Sequence, residues 1–264
     1  MIIEAVTEAI AIFAAGFWAG MINVVVGSGT LVTFPTLLLF GYPPLVANVS
    51  NNIGLVGGGL TGTFGYRREL RGRSGVLRRL LPASVLGGIT GAILLLVLPA
   101  EAFRMIVPVL IALGLVMVVC GPALQRRIAR GRDTSAGHGR LATLTGPRIA
   151  AVVTGVFLLG IYGGYFGAAQ GVLIVGLMSV LTTEDIQSIT GLKNLLTTAV
   201  NAVAAVTFLL VSPESVDWKV VALIAAGATL GGVAGARFGR RLPPVVMRAL
   251  IVVVGVAAIA RLLL

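Results

Sequence analysis

Residues 86–104, LGGITGAILLLVLPAEAFR, recur later in the chain as residues 230–248, LGGVAGARFGRRLPPVVMR. A leucine, three glycines, an alanine, a second leucine, a proline and an arginine hold matching places, always 144 positions apart. Self-similarity of this kind indicates an internal repeat of one structural unit. The glycines at 87, 91, 231 and 235 have the small-xxx-small spacing that lets membrane helices pack closely, and close packing is their expected role.

The repeat extends toward the beginning of each half with a slightly different spacing. There the offset is 142 positions, which pairs Gly29 with Gly171 and Asn52 with Asn194. The sequence therefore predicts a first repeat at 1–124, a linker at 125–148 and a second repeat at 149–264.

The composition places both repeats in a membrane. Hydrophobic residues make up 57% of the chain, charged residues only 11%, and the mean hydropathy is +1.04. Residues 9–66 contain no Asp, Glu, Lys, Arg or His, a stretch longer than the roughly 20 residues of one helical span. These values predict an all-α, polytopic transmembrane bundle. The acidic start, MIIEAVTEAI, is not that of a cleaved signal peptide, and the single Cys120 excludes an internal disulfide.

Two of the apolar segments are too short to cross a bilayer. Residues 30–41 follow the glycine-rich stretch VVVGSGT, and residues 171–182 follow FGAAQGV. Such breaks are typical of helices interrupted inside the membrane, so each repeat is expected to contain a broken or re-entrant helical hairpin. The other segments are expected at 9–26, 45–66, 80–98, 105–124, 149–166, 186–211, 219–236 and 246–263.

The basic residues give the orientation of the repeats. Most of the 18 arginines lie in the connections 67–79, 125–148 and 237–244, which the positive-inside rule makes cytoplasmic. The net charge of +11 therefore reflects topology, and nucleic acid is not an expected partner. Equivalent connections differ in charge: the arginine-rich 67–79 corresponds to VSPESVDWK at 211–219. This alternation predicts that the two repeats cross the membrane in opposite senses.

Two long stretches carry a resemblance to a known family. They are GFWAGMINVVVGSGTLVTFPTLLLFGYPPLVANVSNNIGLVGG (16–58) and GIYGGYFGAAQGVLIVGLMSVLTTEDIQSITGLKNLLTTAVNA (160–202). Each break is followed, 23 residues after its last glycine, by an asparagine. The chain resembles the TauE/SafE sulfite exporter family over nearly its whole length. The resemblance implies transport of sulfite, sulfonates or related sulfur anions across the bacterial inner membrane.

A substrate site is predicted where the two breaks approach each other near the midplane. Interrupted helices leave backbone N–H groups unbonded, and the positive ends of half-helices favour anions. Polar residues also lie early in the helices that follow the breaks. The candidate substrate-binding residues are Gly27, Ser28, Gly29, Thr30, Asn48, Asn51, Asn52, Gln170, Gly171, Lys193 and Asn194.

Each candidate also has a purely structural interpretation. Lys193 would supply a counter-charge to an anion, but a lysine two turns into its helix could instead extend its head to the cytoplasmic interface. The asparagines could serve only as interhelical hydrogen-bonding groups. Ser28 and Thr30 could bond to carbonyls of their own helix. The breaks differ, GSGT against GAAQG, so the two sides of a site would not be chemically equal.

Three functional classes are open to a polytopic membrane protein with these features: a secondary transporter, an anion channel, and a membrane enzyme or sensor. The sequence favours an alternating-access transporter that exports a small sulfur-containing oxyanion. A passive anion channel of the same build, or a carrier of another small carboxylate or organic anion, is the alternative. No nucleophile–base pair, metal-ligand cluster or nucleotide-binding motif is visible, so we expect neither an enzyme nor a cofactor or metal. The expected partners are the anion and the lipid bilayer, and a homodimer is an open alternative to a monomer.

The inverted arrangement predicts the labelling of single cysteines in a variant without Cys120. Cysteines at Ser74 and Ser135 should be shielded from impermeant reagents applied outside cells, whereas one at Ser215 should react. Labelling of position 74 from outside would overturn the inverted-repeat assignment.

Overall fold

The computed structural model describes residues 2–130, 141, 144, 146–238 and 244–263. These residues fold into helices, and no strand occurs among them. Ser135 and most of the linker lie outside the described part of the chain. The α-helices are α1 (Ile2–Val25), α2 (Thr30–Leu39), α3 (Pro44–Gly65), α4 (Arg67–Leu70), α5 (Ser74–Val97), α6 (Ala100–Arg130), α7 (Gly146–Tyr165), α8 (Gln170–Leu181), α9 (Ile186–Val211), α10 (Trp218–Phe238) and α11 (Pro244–Leu263).

Six helices are long and apolar enough to cross a membrane, which makes the chain a multi-pass membrane protein. The two helices after the breaks are different. Helix α2 has 10 residues and α8 has 12, so they are about 15 and 18 Å long against a hydrocarbon core of about 30 Å. The six long spans are in α1, α5, α6, α7, α9 and α10.

Helix α3 has the length of a span but a more polar composition. Asn48, Ser50, Asn51 and Asn52 are all buried in the structure. Neighbouring helices α1, α2, α9 and α10 surround α3 and shield these side chains. Polar residues are tolerated in this helix because protein, and not lipid, faces them.

The two sequence halves interleave. Helix α1 packs along α10 of the other half, and α7 packs in the same way along α5. Helix α3 likewise contacts α10 while α9 contacts α5, and α3 and α9 contact each other. Equivalent helices of the two halves thus make equivalent contacts with the other half, as expected for two related repeats. Neither repeat forms a bundle of its own. The opposite orientation of the repeats in the membrane stays a prediction.

Some helix bounds differ from the sequence expectations. Helix α5 begins at Ser74, six residues before the apolar segment, and α6 runs beyond 124 to Arg130. Arginine is a good helix former, so a helix can continue past the apolar core into the polar interface. The short helix α4 and a 3-10 turn at Pro213–Ser215 were not expected. Ser215 is only 8% exposed, so the neighbouring exposed Glu214 is the better position for external labelling.

Glycines allow the closest helix pairs to form. A β-carbon on Gly91 of α5 would overlap the carbonyl oxygen of Ile161 in α7, and one on Gly231 would overlap that of Phe17 in α1. Close packing is therefore what these glycines of the repeated stretch provide.

Substitution Gly91→Ala should lower the melting temperature of the purified protein by several degrees, because α5 and α7 must separate to admit the methyl group. Gly75→Ala in the same helix is the control, since nothing lies within 4 Å of the added carbon. Equal stability of the two variants would show that the α5–α7 contact does not depend on glycine.

Candidate functional site

Each broken helix ends and restarts through a connection of equal length. Helix α1 ends at Val25 and α2 begins at Thr30, while α7 ends at Tyr165 and α8 begins at Gln170. The bounds of the breaks are thus 140 positions apart, not 142. The offset rises from 140 at the breaks to 142 after them because α8 has two residues more than α2.

The connections turn through left-handed backbone conformations. Gly27 has φ +90° and Gly167 has φ +77°, values that glycine adopts without steric cost. Ala169 also has a positive φ, of 59°. The breaks are therefore defined conformations and not frayed helix ends.

The two breaks touch each other through their backbones. The N–H of Gly171 donates a hydrogen bond of 3.0 Å to the carbonyl oxygen of Gly27. A β-carbon on Gly171 would lie 2.6 Å from the α-carbon of Gly27 and 2.8 Å from the Cδ atom of Lys193. Only glycine permits this contact between the halves.

Lys193 lies directly beside this contact and is fully buried. Its Nζ donates hydrogen bonds to the carbonyl oxygens of Asn23 at 2.6 Å and Val24 at 2.9 Å. Both carbonyls belong to the last turn of α1, where backbone oxygens have no partner within the helix and the helix dipole is negative. The side chain therefore does not extend to an interface, and it caps a broken helix of the other half.

The opposite half shows a related contact. The Nδ2 of Asn48, in α3, donates to the carbonyl oxygen of Tyr165, the last residue of α7, at 3.0 Å. Thus α9 donates a hydrogen bond to a carbonyl at the end of α1, and α3 donates one to a carbonyl at the end of α7. Each bond joins the two halves. In a membrane such carbonyls cannot rely on bulk water.

Four candidate residues have buried polar atoms without a hydrogen-bond partner among the described residues. All four side chains are at least 94% buried. Folded proteins pair more than about 90% of such groups, so four exceptions among the candidate residues indicate that a ligand or water completes their hydrogen bonding. The atoms are Ser28 Oγ, Asn48 Oδ1, Asn52 Oδ1 and Asn194 Nδ2.

Two other candidates are already engaged in structural bonds. The Oδ1 of Asn51 accepts a hydrogen bond from the hydroxyl of Thr33 in α2. The Nε2 of Gln170 donates to the carbonyl oxygen of Leu159 at 2.9 Å, and its amide packs against Gly163. Thr30, the first residue of α2, is buried.

Sequence reasoning missed Asn23. Its Oδ1 accepts a 2.6 Å hydrogen bond from the N–H of Gly29, and its carbonyl accepts one from Lys193. The side chain therefore holds the first break in shape. A lone asparagine one turn before a glycine-rich break in an apolar run was the signal that could have identified it.

Aromatic side chains enclose the second break. The ring of Phe166 lies 5.1 Å from that of Phe34 in α2 and 6.3 Å from that of Phe103 in α6, both edge to face. Phe103 also meets the ring of Tyr165 at 5.7 Å. Phe34, Phe103 and Phe166 are all buried, so the second break lies against an apolar aromatic group.

A polar cluster lies where the loop after α8 meets the start of α5. Arg73 contacts Glu184 at 2.7 Å and the hydroxyl of Ser188 at 2.7 Å. Asp185 caps α9 through the N–H groups of Gln187 and Ser188, and the Ser188 hydroxyl holds the pKa of Asp185 below its usual value.

A second polar cluster involves the loop after α2 and the start of α10. The hydroxyl of Tyr42 donates to Glu8 at 2.6 Å, and Lys219 pairs with Glu8 at 3.3 Å. Burial, followed by the bond to Glu8, raises the pKa of Tyr42. Tyr42 and Glu184 are separated by the repeat offset of 142. The two polar clusters therefore hold equivalent loops in place.

The fold and the site define a class of protein. Two interrupted helices that contact each other inside a bundle of membrane helices, beside a buried lysine, form an arrangement typical of membrane transporters. The sequence profile described as "Sulfite exporter TauE/SafE" matches residues 12–262. The chain belongs to the TauE/SafE family, whose members are transporters and not enzymes.

Curated relatives cover nearly the whole chain. It is 29% identical over 256 residues to "Probable membrane transporter protein ORF9" of Sinorhizobium sp, covering 96% of this chain and 91% of that protein. A "Probable membrane transporter protein" of Haemophilus influenzae is 25% identical, covering 95% and 92%. "Probable membrane transporter protein YfcA" of Escherichia coli K12 is 25% identical, covering 96% and 88%. No solved structure matches the chain.

The contact between the breaks predicts opposite outcomes for two glycines of α8. Gly171→Ala should abolish transport while the protein still inserts, because the methyl group would push Gly27 and Lys193 away. Gly176→Ala adds the same atom to the same helix with nothing within 4 Å and should transport normally. Transport assays on matched amounts of inserted protein make the comparison, and full activity of Gly171→Ala would show that the contact is dispensable.

Proposed function

We propose that this protein exports a small sulfur-containing oxyanion, such as sulfite or an organosulfonate, across the inner membrane by alternating access. The anion binds near the midplane, between the two helix breaks. The observation that supports this most is the backbone contact between Gly27 and Gly171. Both halves also carry unpartnered buried polar atoms, on Ser28 in the first break and on Asn48, Asn52 and Asn194 in the long helices that follow the breaks. The arginine-rich connections face the cytoplasm in this arrangement.

The unpartnered atoms include both hydrogen-bond donors and hydrogen-bond acceptors, and a sulfur oxyanion can pair with both. The Ser28 hydroxyl and Asn194 Nδ2 can donate to its oxygens, and the first turns of α2 and α8 add positive dipole ends. Asn48 and Asn52 present acceptors. The Asn48 amide cannot be turned around, since its Nδ2 is committed to Tyr165. Acceptors fit the hydroxyl of hydrogen sulfite or the ammonium of an aminosulfonate.

Lys193 holds a position that a coupling cation takes in other transporters with broken helices. In such proteins the C-terminal ends of half-helices coordinate Na⁺ or receive a proton, while N-terminal ends face the substrate. Here the lysine head bonds to the C-terminal carbonyls of α1 and its stem lies against both breaks. The lysine is thus a tethered cation beside the anion site, and transport proceeds without sodium.

Transport by purified protein in liposomes tests the proposal. Sulfite, thiosulfate, organosulfonates and carboxylates are compared with and without a pH gradient, in sodium and in choline buffers. We expect saturable uptake of a sulfur oxyanion, acceleration by the same anion on the opposite side, and equal rates in both buffers. Single-channel currents, or selection of carboxylates alone, would contradict the proposal.

Replacement of Lys193 separates charge from packing. Lys193→Met keeps much of the stem and should weaken anion binding on the order of a hundredfold, because charges in a partly dry site are weakly screened. Lys193→Arg should retain part of the affinity, since its charge is kept but its shape and hydration differ. Binding is measured on purified variants together with their melting temperatures. Wild-type affinity in a stable Lys193→Met variant would leave the lysine with a capping role only.

A further inference from the structure

A groove on the outside of the bundle lies between α3 and α10. Its volume is about 750 Å³. Leu60 and Phe64 form one wall and are 58% and 66% exposed, and Val233 on the other wall is 38% exposed. The lining is completed by Thr61, Gly65, Arg67, Ala236 and Arg237.

Small residues make the floor of this groove. A β-carbon on Gly65 would overlap the methyl group of Ala236, and one on Gly232 would overlap the hydroxyl of Thr61. The two helices therefore meet closely at their axes, while larger side chains project on either side. The result is an apolar groove along the outer surface of the bundle.

Two arginines lie at one end of the groove. The guanidinium of Arg67 is 4.2 Å from the centre of the Phe64 ring and donates to the carbonyl oxygen of Phe64 at 3.1 Å. Neither Arg67 nor Arg237 pairs with a carboxylate among the described residues. Both belong to connections that the positive-inside rule places at the cytoplasmic face.

We propose that this groove binds an anionic phospholipid of the cytoplasmic leaflet. One acyl chain lies along Leu60, Phe64 and Val233, and the phosphate is held by Arg67 and Arg237. Basic pockets between transmembrane helices suit such headgroups, and guanidinium groups bind phosphate oxygens in pairs. The lipid braces α3, which carries the asparagines of the candidate site, against α10.

A second copy of the chain fits this groove poorly. A twofold dimer through it would bring Arg67 and Arg237 of both copies together, and converging like charges oppose association. An anionic lipid neutralises the same charges and fills the apolar groove. Both the charge and the shape of the groove therefore favour the lipid.

Lipid titration of the delipidated full chain in detergent tests the site. Dioleoyl phosphatidylglycerol should raise the melting temperature at about tenfold lower concentration than dioleoyl phosphatidylcholine, which has the same chains and no net charge. The double variant Arg67→Gln/Arg237→Gln should lose this preference. Arg68→Gln/Arg78→Gln removes two exposed arginines outside the groove and should keep it. Arg67→Lys/Arg237→Lys retains the charges and should keep most of it.

Other outcomes would overturn the proposal. An unchanged preference in Arg67→Gln/Arg237→Gln would place the lipid elsewhere. Equal stabilisation by glycerol 3-phosphate would show a site for a free anion. Conversion of a dimer to a monomer in the double variant, seen by light scattering with lipid preference unchanged, would assign the groove to a second copy. If the glutamine variant does not fold, loss of the preference in the folded lysine variant would overturn the proposal equally.

Discussion

The architecture depends on satisfying the backbone of two helices that stop inside the membrane. Each broken helix leaves carbonyl oxygens without partners in a region where an unsatisfied polar group costs several kcal/mol. In this protein, groups of one half donate hydrogen bonds to these carbonyls of the other half. Lys193 bonds to the end of α1, Asn48 to the end of α7, and the N–H of Gly171 to the carbonyl of Gly27. These bonds join the two halves, whose helices also interleave, with α1 packed on α10 and α7 on α5.

The same bonds make the site asymmetric. At the repeat offset, Lys193 corresponds to Asn51, which is bonded to Thr33 and not to a helix end. One half thus supplies a cation and the other a neutral amide. An anion between the breaks would meet a fixed positive charge from one side only, as the unequal sequences of the breaks anticipate. At the second break the ring of Phe166 packs against those of Phe34 and Phe103.

Much of the fold could be predicted from the sequence, because the membrane imposes simple rules on length and charge. The ten apolar segments, the shortness of α2 and α8 and the two breaks followed from hydropathy and glycine spacing. The capping role of Lys193 did not, since it depends on a helix 170 positions away in the chain. Asn23 and the 140-residue spacing of the breaks were also missed. Pattern alone does not show which residues of the two halves touch.

The position of an anion bound between the two helix breaks can be observed directly. Selenite has the shape and charge of sulfite, and selenium scatters anomalously. Crystals of the protein grown with selenite, once its transport is established, would locate the ion. We expect an anomalous peak within hydrogen-bonding reach of Ser28 and Asn194, beside the contact between Gly27 and Gly171. A peak at any other place in the bundle, with this position empty, would contradict it.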